Sequence, residues 1–345
     1  MTIIEGMMSG FMQSVSLGVL PYLVIGAFFG LIIGVIPGLS GHFAMAMAVT
    51  FLYSMEPGAG IAFLLGAHAT VAQGGGLTAI LFSTPGTGQN AATLLDGPAM
   101  RDKGQAGIAV GAAMASCFLG ATFGAVVLGL LIPVLRQVVL FFGPPEVFVL
   151  AFLALTFVAV LGKEDMTRSL IAALLGLLMA MVGVDNVTNT HRFTMGSDNL
   201  ADGLSLVPVI LGLFAIAEMI DLFRRGGALA KYTPEALSAA DTQRQIFQGI
   251  GLAFKNWWLV MRCSAIGTIM GLIPGLGSAP AAFVAYGHAK QSSKNKEEFG
   301  KGTVRGVIAP EASNDAVEGG ALASTIAFGI PGSSSMAILL SGLFI

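Results

Sequence analysis

The sequence of 345 residues is 55% hydrophobic and 10% charged, with 17 Lys and Arg against 19 Asp and Glu. A mean hydropathy of +0.82 excludes an ordinary soluble globular domain. The net charge of −2 and a pI near 6.1 provide no basic patch, which excludes nucleic acid as an expected partner.

A helix that crosses the hydrocarbon layer needs roughly 20 apolar residues. In chain order the candidate spans are 15–36, 105–135, 146–161, 169–184, 204–220 and 257–273, with shorter apolar pieces between them. The runs are continuous and lack the alternation of barrel strands, so an all-α polytopic membrane protein is expected. The N-terminus has neither a basic flank nor a small-residue cleavage site, and does not read as a removable signal peptide. Cys117 and Cys263 each lie within an apolar segment and form no metal-binding spacing, so both read as small core residues.

Lys and Arg in short loops mark the cytoplasmic side. One set of alternating loops holds Arg101, Lys103, Lys163, Arg168, Arg224, Arg225, Lys231, Arg244 and Lys255, whereas the other holds Arg136 and Arg192. The first set is therefore cytoplasmic. The polar stretch 221–256, with Gly226-Gly227 and Pro234, reads as a cytoplasmic linker ending at an interfacial Trp257-Trp258 anchor.

The sequence repeats itself. GLIIGVIPGLSG (30–41) recurs as GTIMGLIPGLGS (267–278), and a second pair, 74–94 and 320–340, aligns when Pro85-Gly86 is set on Pro331-Gly332. Segments 1–20 and 53–60 contain no Lys or Arg, while their counterparts 221–256 and 290–305 are basic. This is the charge signature of inverted-topology repeats, common among secondary transporters. The expected organisation is a first transport repeat over 1–135, intervening helices over 136–221, the linker over 222–256 and a second repeat over 257–345. The second repeat lacks a counterpart of 104–135, as in a truncated chain.

Proline removes a backbone donor, so Pro37, Pro85, Pro274 and Pro331, each followed by glycine (Gly38, Gly86, Gly275, Gly332), should break helices or form re-entrant hairpins inside the membrane. Lipid cannot satisfy the freed backbone groups, so the breaks should gather at one polar site. Half-helix N-termini suit a carboxylate and exposed carbonyls suit a cation. The expected substrate-binding set is Ser40, Thr84, Gly86, Thr87, Asn90, Ser278, Asn314, Ser333 and Ser334, with Ser83, Gln89 and Ser335 nearby. The competing reading of the hydroxyls is helix capping, and that of the glycines close helix packing.

Glu311, Asp315 and Glu318 fall in or beside the second broken region, where burial of an ionisable group is costly. Asp315 and Glu318 are expected either to couple an ion or to cap a helix, because their spacing matches N-cap to N3. His42 and His68 are further candidates, His68 aligning with Asn314 in the repeat. A proton would need one of these titratable groups; sodium, held by neutral oxygens, is favoured. No metal beyond sodium and no cofactor is expected. No HExxH, GxSxG or phosphate-loop pattern is present, and His191 and His288 lie far in sequence from any paired catalytic candidate, so the chain does not read as an enzyme.

GVIPGLSG (34–41), GGGLTAILFSTPG (74–86), LLDGPAMRDKGQAG (94–107), FGPPE (142–146), IPGLG (273–277), EEFGKG (297–302), APEASNDA (309–316) and GIPGSSS (329–335) together resemble the large membrane subunit of tripartite tricarboxylate transporters. Ser83 stands where that family usually carries Asn, and His42 where it carries a small residue. The resemblance implies uptake of a small carboxylate through a multi-pass bacterial inner-membrane protein embedded in the lipid bilayer, driven by an ion gradient. A periplasmic solute-binding protein and a small membrane subunit are the implied partners, and a homo-oligomer stays open. An elevator-like movement of the hairpins against the helices of 146–220 is the expected mechanism. The alternative is a stand-alone transporter or a channel for another small anion.

Overall fold

The computed structural model describes residues 3–36, 39, 41–141, 143, 145–146, 148–149, 152, 166–185, 190–204, 208–209, 211–225, 239–273 and 277–343. Helix α1 (Ile3–Ser14) precedes α2 (Leu20–Val35), which carries Pro21 in its first turn, where a missing backbone donor costs nothing. Helix α2 stops before the extended Ile36, as expected of a residue preceding proline. Helices α3 (Gly41–Leu52) and α4 (Pro57–Phe82) follow, and α4 ends on Ser83 in the left-handed region at φ 55°. Two 3-10 turns, Gly88–Ala91 and Thr93–Leu95, lead through α5 (Gly97–Asp102) into α6 (Ala106–Phe141).

Beyond α6 come α7 (Met166–Ala180), a two-residue antiparallel pairing of Gly183–Val184 with His191–Arg192, and a π-helical turn (Leu211–Ile216) that runs into α8 (Ala217–Arg225). The last part comprises α9 (Ala239–Lys255), α10 (Trp257–Leu272), α11 (Ser278–Ser292), α12 (Val304–Phe328) and α13 (Ser334–Leu343). Helix α12 ends on Gly329 at φ 65°, two residues before Pro331, just as α4 ends two residues before Pro85. The fold is all-α and of the membrane type.

Within α6, Ala106–Leu135 is the described stretch long and apolar enough to cross a membrane on its own, with a mean hydropathy of 2.3 over its best window. Leu20–Val35, Gly41–Leu52, Thr167–Ala180, Trp257–Leu272 and Ser334–Leu343 are apolar but shorter. Large side chains such as Phe28, Ile32, Phe118 and Leu130 are exposed on the outer surface, as a lipid-facing belt requires.

Several expectations need amendment. The span expected over 15–36 is a helix only from Leu20, and that over 169–184 ends at Ala180. Helices α3, α4, α11 and α12 were not expected as complete elements. The span expected over 146–161 falls almost wholly outside the described residues, as do 205–207 and 210 within 204–220. Pro37, Gly38, Ser40, Pro274 and Gly275 also lie outside them. The segment expected as a linker carries helix α9.

Glycines set how closely the helices approach. A Cβ on Gly30 would sit 2.1 Å from Ala67 O, and one on Gly34 2.3 Å from Val71 O, so α2 can lie along α4 only without side chains there. The second half reproduces these contacts at equivalent positions: Gly267 faces Ser313 O at 2.3 Å and Gly271 faces Val317 O at 2.1 Å, joining α10 to α12. Gly86 packs on Gly75 and the carbonyl of Gly34; its mate Gly332 packs on Ala321 and the carbonyl of Gly271. The sequence repeat is thus a repeat of packing. Helix α6 joins the two units, its Gly120 set against Ala312 O and its Gly111 against Ile246 O of α9.

Candidate functional site

The described ends of the broken segments meet crosswise. His42, at the start of α3, is in hydrogen-bond contact through Nε2 with Ser334 Oγ at the start of α13. Ser278 Oγ, at the start of α11, donates to Gln89 Oε1 in the turn after Pro85-Gly86. A Cβ on Gly88 would lie 3.9 Å from Ala279 Cβ, the repeat equivalent of the contact between Ser334 and His42. Each half therefore places the helix that follows its first break against the second break of the other half.

Beside this junction, α12 presents Glu311, Asp315 and Glu318 at i, i+4 and i+7, along one face. Glu311 is buried. Its Oε1 accepts from Thr93 Oγ1 and, at 3.4 Å, from Asn90 Nδ2, and its Oε2 accepts from Cys117 Sγ of α6 at 3.1 Å. Thr87 Oγ1 donates to Asn90 Oδ1, which links the chain break to the carboxylate. The glycine run of α4 makes room for this cluster. A Cβ on Gly75 would lie 2.4 Å from Asn90 Oδ1, and one on Gly76 3.2 Å from Glu311 Oε1.

Further along the same face, Glu318 Oε2 lies 2.9 Å from His68 Nε2 of α4. Asp315 is buried, with Oδ2 lacking a hydrogen-bond partner, and both amide atoms of the buried Asn314 also lack one. Such groups are costly inside a protein unless they meet a partner. Asp315 and Glu318 sit in the middle of a 25-residue helix, so the capping reading is overturned: the i, i+3 spacing marks a helix face here, not a helix start.

The other expected residues divide. Thr84 donates through Oγ1 to Phe82 O at 3.3 Å, and Ser333 Oγ accepts from Met336 N at 3.2 Å, which are local turn and capping roles. Gly86 and Gly332 are packing contacts, and Gly332 N also donates to Thr325 Oγ1 at 3.2 Å. Thr87, Asn90, Ser278, Asn314, Asp315 and Glu318 are buried or half-buried near the breaks, Ser334 is exposed at the start of α13, and Ser40 lies outside the described residues.

Sequence reasoning passed over Asp96. It is fully buried, and its Oδ1 accepts from the backbone N–H of Gly302 at 2.7 Å, Thr303 at 2.9 Å and Gly300 at 3.0 Å. Its Oδ2 accepts from Tyr286 Oη at 2.9 Å. One side chain thereby ties the DGP motif of the first half to the FGKG motif of the second, at the N-terminus of α12. Cys117, expected as inert core, is a donor to Glu311; only proximity in three dimensions could reveal that.

Comparison with known proteins follows the same lines. Residues 20–345 match the family described as "Tripartite tricarboxylate transporter TctA family". An "Uncharacterized 52.8 kDa protein in TAR-I ttuC' 3'region" of Agrobacterium vitis is 31% identical over 357 residues, covering 100% of this chain and 67% of that protein. An "Uncharacterized protein in TAR-II ttuC' 3'region" of the same organism is 38% identical over 79 residues, covering 23% of this chain and 32% of that protein. The chain thus spans about two thirds of the first relative's length and about a third of the second's. No solved structure matches it. With a family match over nearly its whole length, the chain belongs to the tripartite tricarboxylate transporter TctA family.

Proposed function

We propose that this chain is the membrane-embedded subunit through which a tri- or dicarboxylate crosses the bacterial inner membrane. A periplasmic solute-binding protein delivers the substrate, a small membrane subunit assists, and an ion gradient drives uptake. The observation that carries this reading is the crosswise meeting of the breaks, His42 with Ser334 and Ser278 with Gln89. Broken helices persist at membrane depth only where protein or a polar cavity satisfies their backbone, and the free N–H groups of half-helix starts favour carboxylates. Thr87, Asn90, Ser278, Asn314 and Ser334 are the proposed substrate contacts.

Sodium is the proposed coupling ion. Asn314 Oδ1 and Asp315 Oδ2, both buried without a protein partner, supply the oxygen donors that a hard cation prefers. The contact between His68 and Glu318 favours protons as a second reading, because an imidazole in contact with a carboxylate can hand a proton to it. The paired glycine contacts and the one-sided Lys and Arg support an inverted arrangement of the two halves. The broken hairpins then alternate access by an elevator-like movement against the helices of 146–220.

The test is uptake of labelled citrate and a panel of di- and tricarboxylates into proteoliposomes containing the full-length protein and its small subunit. Binding protein and sodium gradient are each supplied or withheld. Uptake that requires both supports the proposal, and downhill leakage independent of both would point to a channel. Asp315→Asn is expected to abolish the sodium dependence while His68→Gln leaves it intact. If a pH gradient replaces sodium and His68→Gln removes that response, protons are the coupling ion.

A further inference from the structure

A second polar site lies at the start of α10, the opposite end of that helix from its break. The end of α9, the start of α10, the end of α11 and the start of α12 enclose a cleft of about 530 Å³. Lys255, Arg262, Lys294 and Arg305 line it, and no carboxylate does among the described lining residues. Four cations in one cleft repel one another, so the arrangement calls for an anion. Arg305 is steered by neutral groups alone in the contacts the structure records: its Nε donates to Asn256 Oδ1 at 3.2 Å and its Nη1 to Ser293 Oγ at 3.4 Å. These bonds aim the guanidinium without cancelling its charge. The Nε of Arg262 is buried and has no hydrogen-bond partner.

The position of the cleft indicates where the anion comes from. Trp258, which lines it, and the adjacent Trp257 are each 59% exposed at the start of an apolar helix, the placement of an aromatic anchor at the membrane surface. The Arg262 guanidinium lies 6.0 Å from the centre of the Trp258 ring. Arg262 stands one turn into α10 from Trp258, and a helical side chain leans toward the helix N-terminus, so its guanidinium reaches back to the level of the aromatic anchor, where lipid headgroups lie. Phe254 and Met261 expose apolar surface close by in sequence, against which acyl chains can lie.

We propose that this cleft binds the phosphodiester headgroup of an anionic phospholipid from the cytoplasmic leaflet. The guanidinium groups of Arg262 and Arg305 contact the phosphate, Lys255 and Lys294 add charge, and Trp258 lies beside the upper acyl chain. The site does not depend on the transport reading.

The chain contains two tryptophans, so the Trp257→Phe protein reports on Trp258 alone. In neutral vesicles carrying the full-length variant, brominated phosphatidylglycerol is expected to quench Trp258 fluorescence well beyond brominated phosphatidylcholine. Arg262→Gln is expected to lower that preference about fivefold, and the exposed Lys294→Gln, which leaves the packing untouched, similarly. Millimolar glycerol 3-phosphate should not displace the lipid. Equal quenching by the two lipids would overturn the proposal, as would a preference that survives both substitutions. Displacement by glycerol 3-phosphate would show instead a site for a soluble phosphate.

Discussion

Asp96 is fully buried, and four donors from the second half of the chain converge on its carboxylate. Replacing it with Ala leaves three backbone N–H groups without an acceptor, each worth about 1–3 kcal/mol when buried. Asp96→Ala is therefore expected to destabilise the detergent-solubilised protein by at least about 3 kcal/mol, read as a lowered midpoint of thermal denaturation, whereas Tyr286→Phe should cost about 1 kcal/mol. Equal midpoints for wild type and Asp96→Ala would mean that the clamp adds nothing. At this scale the sequence was partly legible. Glu311, Asp315 and Glu318 stand out as acids in an apolar context, and Asn90 and Thr87 as polar groups beside a Pro-Gly. Asp96 does not stand out, because an aspartate before Gly-Pro reads as an ordinary turn, and its partners lie more than 180 residues away.

Helices α4 and α12 are the long members of the two packing units, and each ends on a left-handed residue, Ser83 or Gly329. A side chain in that region costs about 1 kcal/mol or more, so Gly329→Ala is expected to lower stability by about that amount in the same thermal assay. Gly34→Ala should be far worse, because its Cβ would lie 2.3 Å from a backbone carbonyl that cannot yield. Gly88→Ala, with 3.9 Å of clearance, should be tolerated. A Gly34→Ala protein as stable as the Gly88→Ala protein would refute this account of α2–α4 packing. Helices α2, α6 and α10 were legible because they are apolar throughout. Helix α12 was not, because Glu311, Asn314, Asp315 and Glu318 interrupt its hydropathy; protein rather than lipid surrounds it, and the pattern of a half-exposed span does not apply. The Pro-Gly punctuation exposed the helix ends at 83 and 329 even where the helices before them went unnoticed.

On the scale of the whole molecule, the two packing units repeat the same glycine contacts and meet through their chain breaks. If the breaks travel together against the peripheral helices, a disulfide between Gly88→Cys and Ala279→Cys, whose Cβ atoms would lie 3.9 Å apart, should leave uptake intact. A cysteine pair joining α3 to the adjoining Leu211–Ile216 turn should arrest it, with reduction restoring transport. The opposite pattern would place the moving seam between the breaks. The sequence repeat made the pairing of motifs visible, but not that each half completes the junction of the other, since contact across the repeat leaves no trace in spacing.

The shortness of α2 and α10 also bears on how such a chain is made. Each has 16 residues, about 24 Å of helix, against a hydrocarbon layer of about 30 Å. Neither can settle in lipid alone, because its broken end would strand backbone groups there. Each must partition out of the insertion machinery already nested against α4 or α12, and the glycine notches are what permit the nesting. Filling a notch should therefore be felt first in biogenesis, as a nascent chain handed to membrane proteases, and only afterwards as a transporter that works poorly.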